Sequence, residues 1–222
     1  MRETVSKTVT ARRKSKLKIK DLILNNIYNN LKEYLIVTII FLIGIVIGVI
    51  FINHVTESQY MEIQEYIQNF VTALKGDYHI DTMSLLKNSL TDNLKLTIGM
   101  WFIGSTVIGI PIILGIVLIR GFCIGYTVSA TIAILGVQKG FLFFTVSILL
   151  QNLILIPVII ALAVSGLKVY KSIMKDKRKE NIKFEIIRHT LCCTILLLFL
   201  VLASLIESYI SANLLTACVQ FL

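Results

Sequence analysis

The chain has 222 residues, of which 56% are hydrophobic, and its formal net charge at pH 7 is +9. This apolar fraction is far above that of an ordinary soluble domain, so the composition excludes a soluble globular protein. The positive charge does not indicate nucleic-acid binding. Basic and acidic residues alternate in blocks along the chain, as the positive-inside rule requires of a membrane protein.

The first apolar stretch, residues 34–52, contains no charged side chain. A helix that rises about 1.5 Å per residue crosses the hydrocarbon core of one bilayer over this length. Residues 1–33 before it carry nine basic and three acidic residues. This pattern predicts a basic cytoplasmic tail, with an interfacial helix within 17–31, followed by a first span that leads out of the cytoplasm.

The segment 53–95 carries three basic and six acidic residues, which places it outside the cytoplasm. Thr56 and Gln59 fit a capping box that starts a helix, and Gly76 is its expected end. Asp81 is suited to cap a second helix that continues into the second span. The sequence therefore predicts an extracytoplasmic helical hairpin on or just above the membrane surface.

The first helix of this hairpin has an apolar stripe that a segment of this size cannot bury by itself. Four surfaces are able to cover the stripe: the bilayer, the protein's own spans, a second copy of the chain, or a partner protein. For the last case we predict docking residues at helical spacing, namely Tyr60, Ile63, Ile67 and Phe70.

A long apolar block, 96–167, is interrupted only at Arg120 and at 138–139, and splitting it there predicts three spans. The next segment, 168–188, carries eight basic and three acidic residues and should be cytoplasmic, and 189–222 contains the last span and an extracytoplasmic C-terminal segment. We therefore predict an all-α integral membrane protein with about five transmembrane helices. Its N-terminus lies inside and its C-terminus outside.

Two geometries at Arg120 satisfy this topology. Arg120 and Gly121 form either a tight hairpin between two spans or part of a re-entrant pair, and charge parity does not distinguish them. In both cases Arg120 lies toward the inner side, whereas Glu207 ends the last span on the outer side. The topology therefore predicts that these two side chains do not meet.

Other residues within the spans are candidates for helix packing or partner contact. Glycines four residues apart permit close helix approach, either within the chain or in a homodimer. Polar side chains inside the membrane serve as contacts between helices or line a substrate path, and proline kinks a span. The candidates are Gly44, Gly48, Arg120, Gly121, Gly125, Gln151, Asn152, Pro157 and Glu207.

No pattern typical of catalysis or of a cofactor is found in the sequence. There is no GxSxG, HExxH or GxxxxGK[ST] motif, and no histidine lies four residues from a second histidine. We therefore predict no catalytic residues, no metal and no cofactor, and a protein that is not an enzyme.

Several segments, taken in order, resemble one protein family. They are MWFIGSTVIGIPIIL at 100–114, LIRGFCIGYTV at 118–128, SILLQNLILIPVIIAL at 147–162 and LIESYIS at 205–211. In this order and spacing, and behind a basic tail and an acidic loop, they resemble stage II sporulation protein M of endospore-forming bacteria over nearly the whole chain.

The resemblance implies a five-span protein of the cell membrane, located at the septum and in the engulfing mother-cell membrane. It implies a non-enzymatic scaffold that assembles and localises septal peptidoglycan-degrading enzymes during engulfment, with stage II sporulation proteins D and P as partners beside the membrane lipids. The alternative function, motivated by the polar residues in the spans, is a transporter or channel-like membrane subunit.

Overall fold

The computed structural model describes residues 27–76, 81–106, 108–175 and 179–218. Most of the basic tail, with most of its predicted interfacial helix, lies outside the described residues. Every regular element within the described ranges is helical. The elements are α1 (Leu31–Ile52), α2 (Glu57–Lys75), α3 (Thr82–Gly104), α4 (Gly109–Leu135), α5 (Val137–Phe144), a π-helical segment (Thr145–Leu149), α6 (Leu150–Lys175), α7 (Lys179–Leu205), a second π-helical segment (Ile206–Ser211) and α8 (Ala212–Cys218).

Four helical stretches in the described part of the chain are long and apolar enough to cross a membrane. They are Leu31–Ile52, Gly109–Leu135, Val137–Met174 and Ile182–Cys218. These stretches confirm the prediction of an all-α membrane protein. The helix α3 is not among the four, although it is 23 residues long, and its sequence includes Lys87, Asp92 and Lys95. A fifth crossing therefore depends on α3 and remains a prediction.

The predicted chain reversal at Arg120 is wrong, because α4 runs without interruption from Gly109 to Leu135. The reversal lies between α3 and α4 instead, at the residues after Gly104. Gly109 packs there against the Ile103 carbonyl, where an added Cβ would lie only 1.8 Å from the oxygen. Pro111 falls in the first turn of α4, where its missing N–H breaks no helical hydrogen bond.

The hairpin and the last span also differ from prediction. The capping box at Thr56 and the cap at Asp81 both form, but α3 does not lie on the surface. Its side chains Ser89 and Asn93 are buried in the bundle and contact α7. At the other end of the chain, helical structure continues past Glu207, where the last span was predicted to end, and runs through the second π-helical segment to Cys218.

The closest helix pair is α1 with α4, which cross at four glycines. A Cβ at Gly44 or Gly48 would lie 2.2 Å from the carbonyl oxygen of Leu118 or Phe122, respectively. A Cβ at Gly121 or Gly125 would lie 2.3 or 2.1 Å from a carbonyl oxygen of α1. The backbones are thus in direct contact, as is usual for small residues between membrane helices. Both glycine pairs therefore form the contact between α1 and α4 of the same chain.

The bundle has two ends, which we name after α1. At the Glu33 end, Glu33 forms an ion pair with Lys171 of α6. At the Ile52 end, α2 covers the helices: Ile67 packs with Ile52 and Ala130. Between the ends lies one apolar core of side chains from α1, α3, α4, α6 and α7, which includes Val37, Met100, Val117, Ile159, Leu162 and Leu200.

Candidate functional site

The polar residues that the sequence places inside the spans line one cavity of about 680 Å³. The cavity lies between α3 and α4, and residues next to the two π-helical segments close it. Such segments occur often at functional sites because they turn side chains out of the regular helical register. The polar side chains that line it are Asn88, Ser89, Asp92, Asn93, Lys95, Arg120, Thr127, Gln151, Asn152 and Glu207.

Glu207 is held by a hydrogen bond across the cavity. The side-chain amide of Gln151 donates to its Oε2 over 2.6 Å. The neighbouring Asn152 behaves differently, because its amide donates to the Ile148 carbonyl of its own helix over 2.9 Å. Of Gln151 and Asn152, only Gln151 therefore makes a side-chain hydrogen bond to another helical segment. Pro157 lies inside α6, five residues beyond Asn152.

The α3 wall of the cavity is fixed by a serine and asparagine cluster that the sequence reasoning missed. Ser204 of α7 accepts hydrogen bonds from the Ser89 hydroxyl over 2.9 Å and from the Asn93 amide over 2.8 Å. Its own hydroxyl also contacts the Leu200 carbonyl at 3.1 Å. The sequence could have indicated this cluster, because Ser89 and Asn93 are four residues apart and therefore lie on one face of α3. All three side chains are buried.

Arg120 and Glu207 line the same cavity, so the prediction that they lie at opposite sides of the membrane is wrong. The reason is the unbroken α4, which puts Arg120 in the middle of a helix rather than at its inner end. Gly121 beside it packs against the carbonyl of Phe41, near the midpoint of α1. Within the described ranges, Arg120 and Glu207 form no ion pair within 4 Å, and Arg120 contacts no other carboxylate at that distance.

A second buried polar cluster joins three helices at the Glu33 end. His189 of α7 is only 1% exposed, and its Nδ1 lies 2.8 Å from the Ser165 hydroxyl of α6. On the α3 side the imidazole packs against Gly104, where an added Cβ would be 2.8 Å from its Nε2. One turn further, the Trp101 indole donates to Thr190 over 2.9 Å. This cluster is remote from the cavity and connects helices.

The apolar stripe of α2 faces the protein's own bundle. Ile67 is buried, Ile63 packs on the same cluster, and the Tyr60 hydroxyl donates to the Ala133 carbonyl over 3.4 Å. The rings of Phe70 and Phe143 meet edge to face at 6.0 Å. Ile63, Ile67 and Phe70 also line the cleft described next, so the docking role predicted for the stripe stays a prediction. Of the four surfaces able to cover it, the protein's own spans do so.

A cleft of about 440 Å³ remains open beside the covered stripe, at the Ile52 end. Aromatic rings surround it, and one acidic side chain, Glu62, lies at its edge. Tyr66 is 75% exposed and Phe70 37% exposed. The residues that line the cleft are Glu62, Ile63, Tyr66, Ile67, Phe70, Tyr126, Thr127, Ala130, Thr131, Phe143 and Ser147.

The hydrogen bonds described at these sites connect helices to one another. No group of three histidine, cysteine, aspartate or glutamate side chains suited to a metal is present in the part of the chain that the structure describes. The fold and the buried polar clusters define an all-helical integral membrane protein.

The family model for stage II sporulation protein M matches residues 37–212, and the chain belongs to this family. The matched range covers all four apolar stretches at least in part and includes both the cavity and the cleft. Neither a curated protein nor a solved structure matches the chain.

Proposed function

We propose that the chain is a non-enzymatic scaffold in the cell membrane, which assembles and localises septal peptidoglycan-degrading enzymes during engulfment. Membership of the stage II sporulation protein M family supports a role in sporulation at a membrane. The observation that carries the scaffold function is the aromatic cleft at the Ile52 end. Exposed tyrosine and phenylalanine rings around a preformed cleft are typical anchors for a protein partner.

The distribution of charge supports the orientation that this function needs. The helix ends at the Glu33 end carry Lys32, Lys171, Lys183 and Arg188, whereas α2 at the Ile52 end carries three glutamates and one lysine. By the positive-inside rule the Glu33 end is cytoplasmic, and α2 lies on the side of the cell wall. With α3 as the fifth crossing, the N-terminus is inside and the C-terminus outside.

The partners in this proposal are stage II sporulation proteins D and P, in the septal and engulfing mother-cell membrane. A scaffold that holds two wall-degrading enzymes on one membrane protein raises their effective concentration at the septum. The cleft supplies the contact surface, since it lies on the wall-facing side and no side chain of the described residues fills it.

Tyr66→Ala tests this function. Loss of an exposed aromatic anchor is expected to weaken co-purification of the two enzymes about tenfold, because such anchors contribute most of the binding free energy at an interface. The matched control is Met61→Ala, which is on the same helix and 59% exposed but does not line the cleft. Equal retention of the enzymes by both variants, with normal septal localisation, would show that the cleft is not the docking surface.

A second function, a transporter or channel-like subunit, is favoured by one observation, the polar cavity in the middle of the bundle. Mixed acidic and basic groups at this depth are typical of solute paths in membrane proteins. This function requires the cavity to be filled with water and connected to one side of the membrane.

A further inference from the structure

The face of α3 that borders the cavity carries charges that cannot face lipid. Asp92 and Lys95 form an ion pair one turn apart, and their side chains are 72% and 73% exposed. They share the cavity with Arg120, which lies level with the middle of α1 because Gly121 packs on the Phe41 carbonyl. With α3 as a membrane crossing, these exposed charges lie near the depth of the bilayer centre, on the lateral surface of the bundle.

Charged side chains at this depth are unfavourable against hydrocarbon. An exposed pair of this kind does not remove that cost, since each member still lacks full coordination. Arg120 adds a cation that has no ion pair within the described ranges. Protein or water must therefore cover this face when the chain is in the membrane.

We propose that the face formed by α3 and α4 around Arg120 is the contact between two copies of the chain, related by a twofold axis along the membrane normal. The charges are self-complementary. Each copy brings two acidic groups, Asp92 and Glu207, and two basic groups, Lys95 and Arg120, around the cavity. Within one copy Asp92 already pairs with Lys95, and Glu207 accepts a hydrogen bond from Gln151. Arg120 has no carboxylate within 4 Å among the described residues, so Asp92 of a second copy supplies the acid that Arg120 lacks.

The depths of the charges fit this symmetry. Asp92 lies about 18 Å along α3 from Gly104, and Arg120 lies about 17 Å along α4 from Gly109, at 1.5 Å per residue. The two helices meet at the turn between Gly104 and Gly109, so both distances start from the same end of the bundle. A twofold axis along the normal preserves depth, and it therefore brings Asp92 of one copy level with Arg120 of the other.

The glycine pairs do not offer an equivalent contact. Gly44, Gly48, Gly121 and Gly125 are buried between α1 and α4 of the same chain, so they are unavailable for a second copy. The twofold contact uses polar groups instead, and hydrogen bonds and ion pairs between helices hold membrane assemblies together without a hydrophobic driving force. The proposal is independent of the cleft at the Ile52 end and of any enzyme partner.

Charge reversal in the full-length chain, measured by single-molecule photobleaching in liposomes, tests the contact. The unaltered chain is expected to be dimeric. Asp92→Arg alone and Arg120→Asp alone should each lower the dimer-to-monomer ratio at least tenfold, since each places like charges opposite one another. The double variant should restore the dimer.

A mixture of the two single variants provides the folding control. In a mixed pair, both contacts again join one acid and one base, so the two monomeric variants should form a dimer when they are reconstituted together. Failure of the mixture and of the double variant to dimerise, with the unaltered chain dimeric, would overturn the proposed pairing.

A monomeric unaltered chain would also overturn it, and the native Cys123 then identifies what covers the face. Cys123 lines the cavity and is exposed. Reaction with a membrane-impermeant thiol reagent in intact cells would indicate a water-filled solute path. Protection in the monomer would indicate coverage by the helix of another protein. In the dimer, Cys123 should be protected in the unaltered chain and become reactive only in the charge-reversed monomers.

Discussion

Gly121→Ala is expected to destabilise the folded protein by about 2 kcal/mol, and Gly121→Leu to prevent accumulation of folded protein. A Cβ at this position would lie 2.3 Å from the Phe41 carbonyl oxygen and 3.2 Å from the Ile45 nitrogen. Both are backbone atoms of a helix, so no rotamer change relieves the contact and α1 must move away from α4. The measurement is thermal unfolding of the purified protein in detergent.

Gly115 of the same helix is the matched control for this effect. Apart from its own helix, no atom lies within 4 Å of a Cβ added there, so Gly115→Ala and Gly115→Leu should leave the midpoint of unfolding unchanged or raise it slightly. Replacement of glycine by alanine raises helix propensity equally at both sites, so propensity cannot explain a difference. Equal stability of the two alanine variants would mean that α1 and α4 do not cross at their glycines.

His189→Ala is expected to lower the free energy of unfolding by about 2 to 3 kcal/mol. The imidazole is fully buried where α3, α6 and α7 meet, and its removal leaves a cavity beside Gly104 and takes the hydrogen-bond partner from Ser165. The expected result is a clear drop in the midpoint of chemical unfolding.

His54 supplies the comparison for this prediction. Its side chain is exposed and contacts only the Ile50 carbonyl of the preceding turn at 3.0 Å. His54→Ala should therefore change stability by less than about 0.5 kcal/mol. Similar losses for the two histidine variants would contradict a connecting role for His189.

The sequence was most informative where the cause of a structure is local. The capping box at Thr56 and the cap at Asp81 depend on side chains within three residues of the helix start. Hydrogen bonds from the Ser84 side chain and from nearby backbone N–H groups also hold the pKa of Asp81 below its usual value. An uncharged apolar run such as 34–52 likewise predicts a span by itself, because its length must match the bilayer.

Prediction failed where a charge was assumed to mark the end of a span. Arg120 lies in the middle of α4 because its side chain enters a polar cavity, and that cavity exists only after α3 and α7 have packed beside α4. The same reason explains Glu207, around which the helix continues because Gln151 and the π-helical segment accommodate the carboxylate. The sequence of one span does not show which polar side chains of another span will pack against it.

The polar helix α3 is the clearest example of tertiary context. Its first half is too polar to be recognised as a span, and the sequence placed it in a surface hairpin. Hydrogen bonds from the buried Ser89 and Asn93 to Ser204 hold it in the bundle. Its charged residues Asp92 and Lys95 border the cavity rather than the core. Such a helix is stable in a membrane only with polar neighbours, which a reading of one segment at a time cannot supply.

The central claim is that α3 crosses the membrane. The accessibility of one cysteine before α3 and one after it, on opposite sides of the membrane, tests this claim most directly. Tyr66→Cys in α2 and Thr106→Cys in the turn after α3 are compared in a background without the four native cysteines. A membrane-impermeant maleimide is applied to intact cells and to permeabilised cells. We expect Tyr66→Cys to react in intact cells and Thr106→Cys to react only after permeabilisation. Reaction of both positions in intact cells would contradict the crossing, and with it the five-span topology.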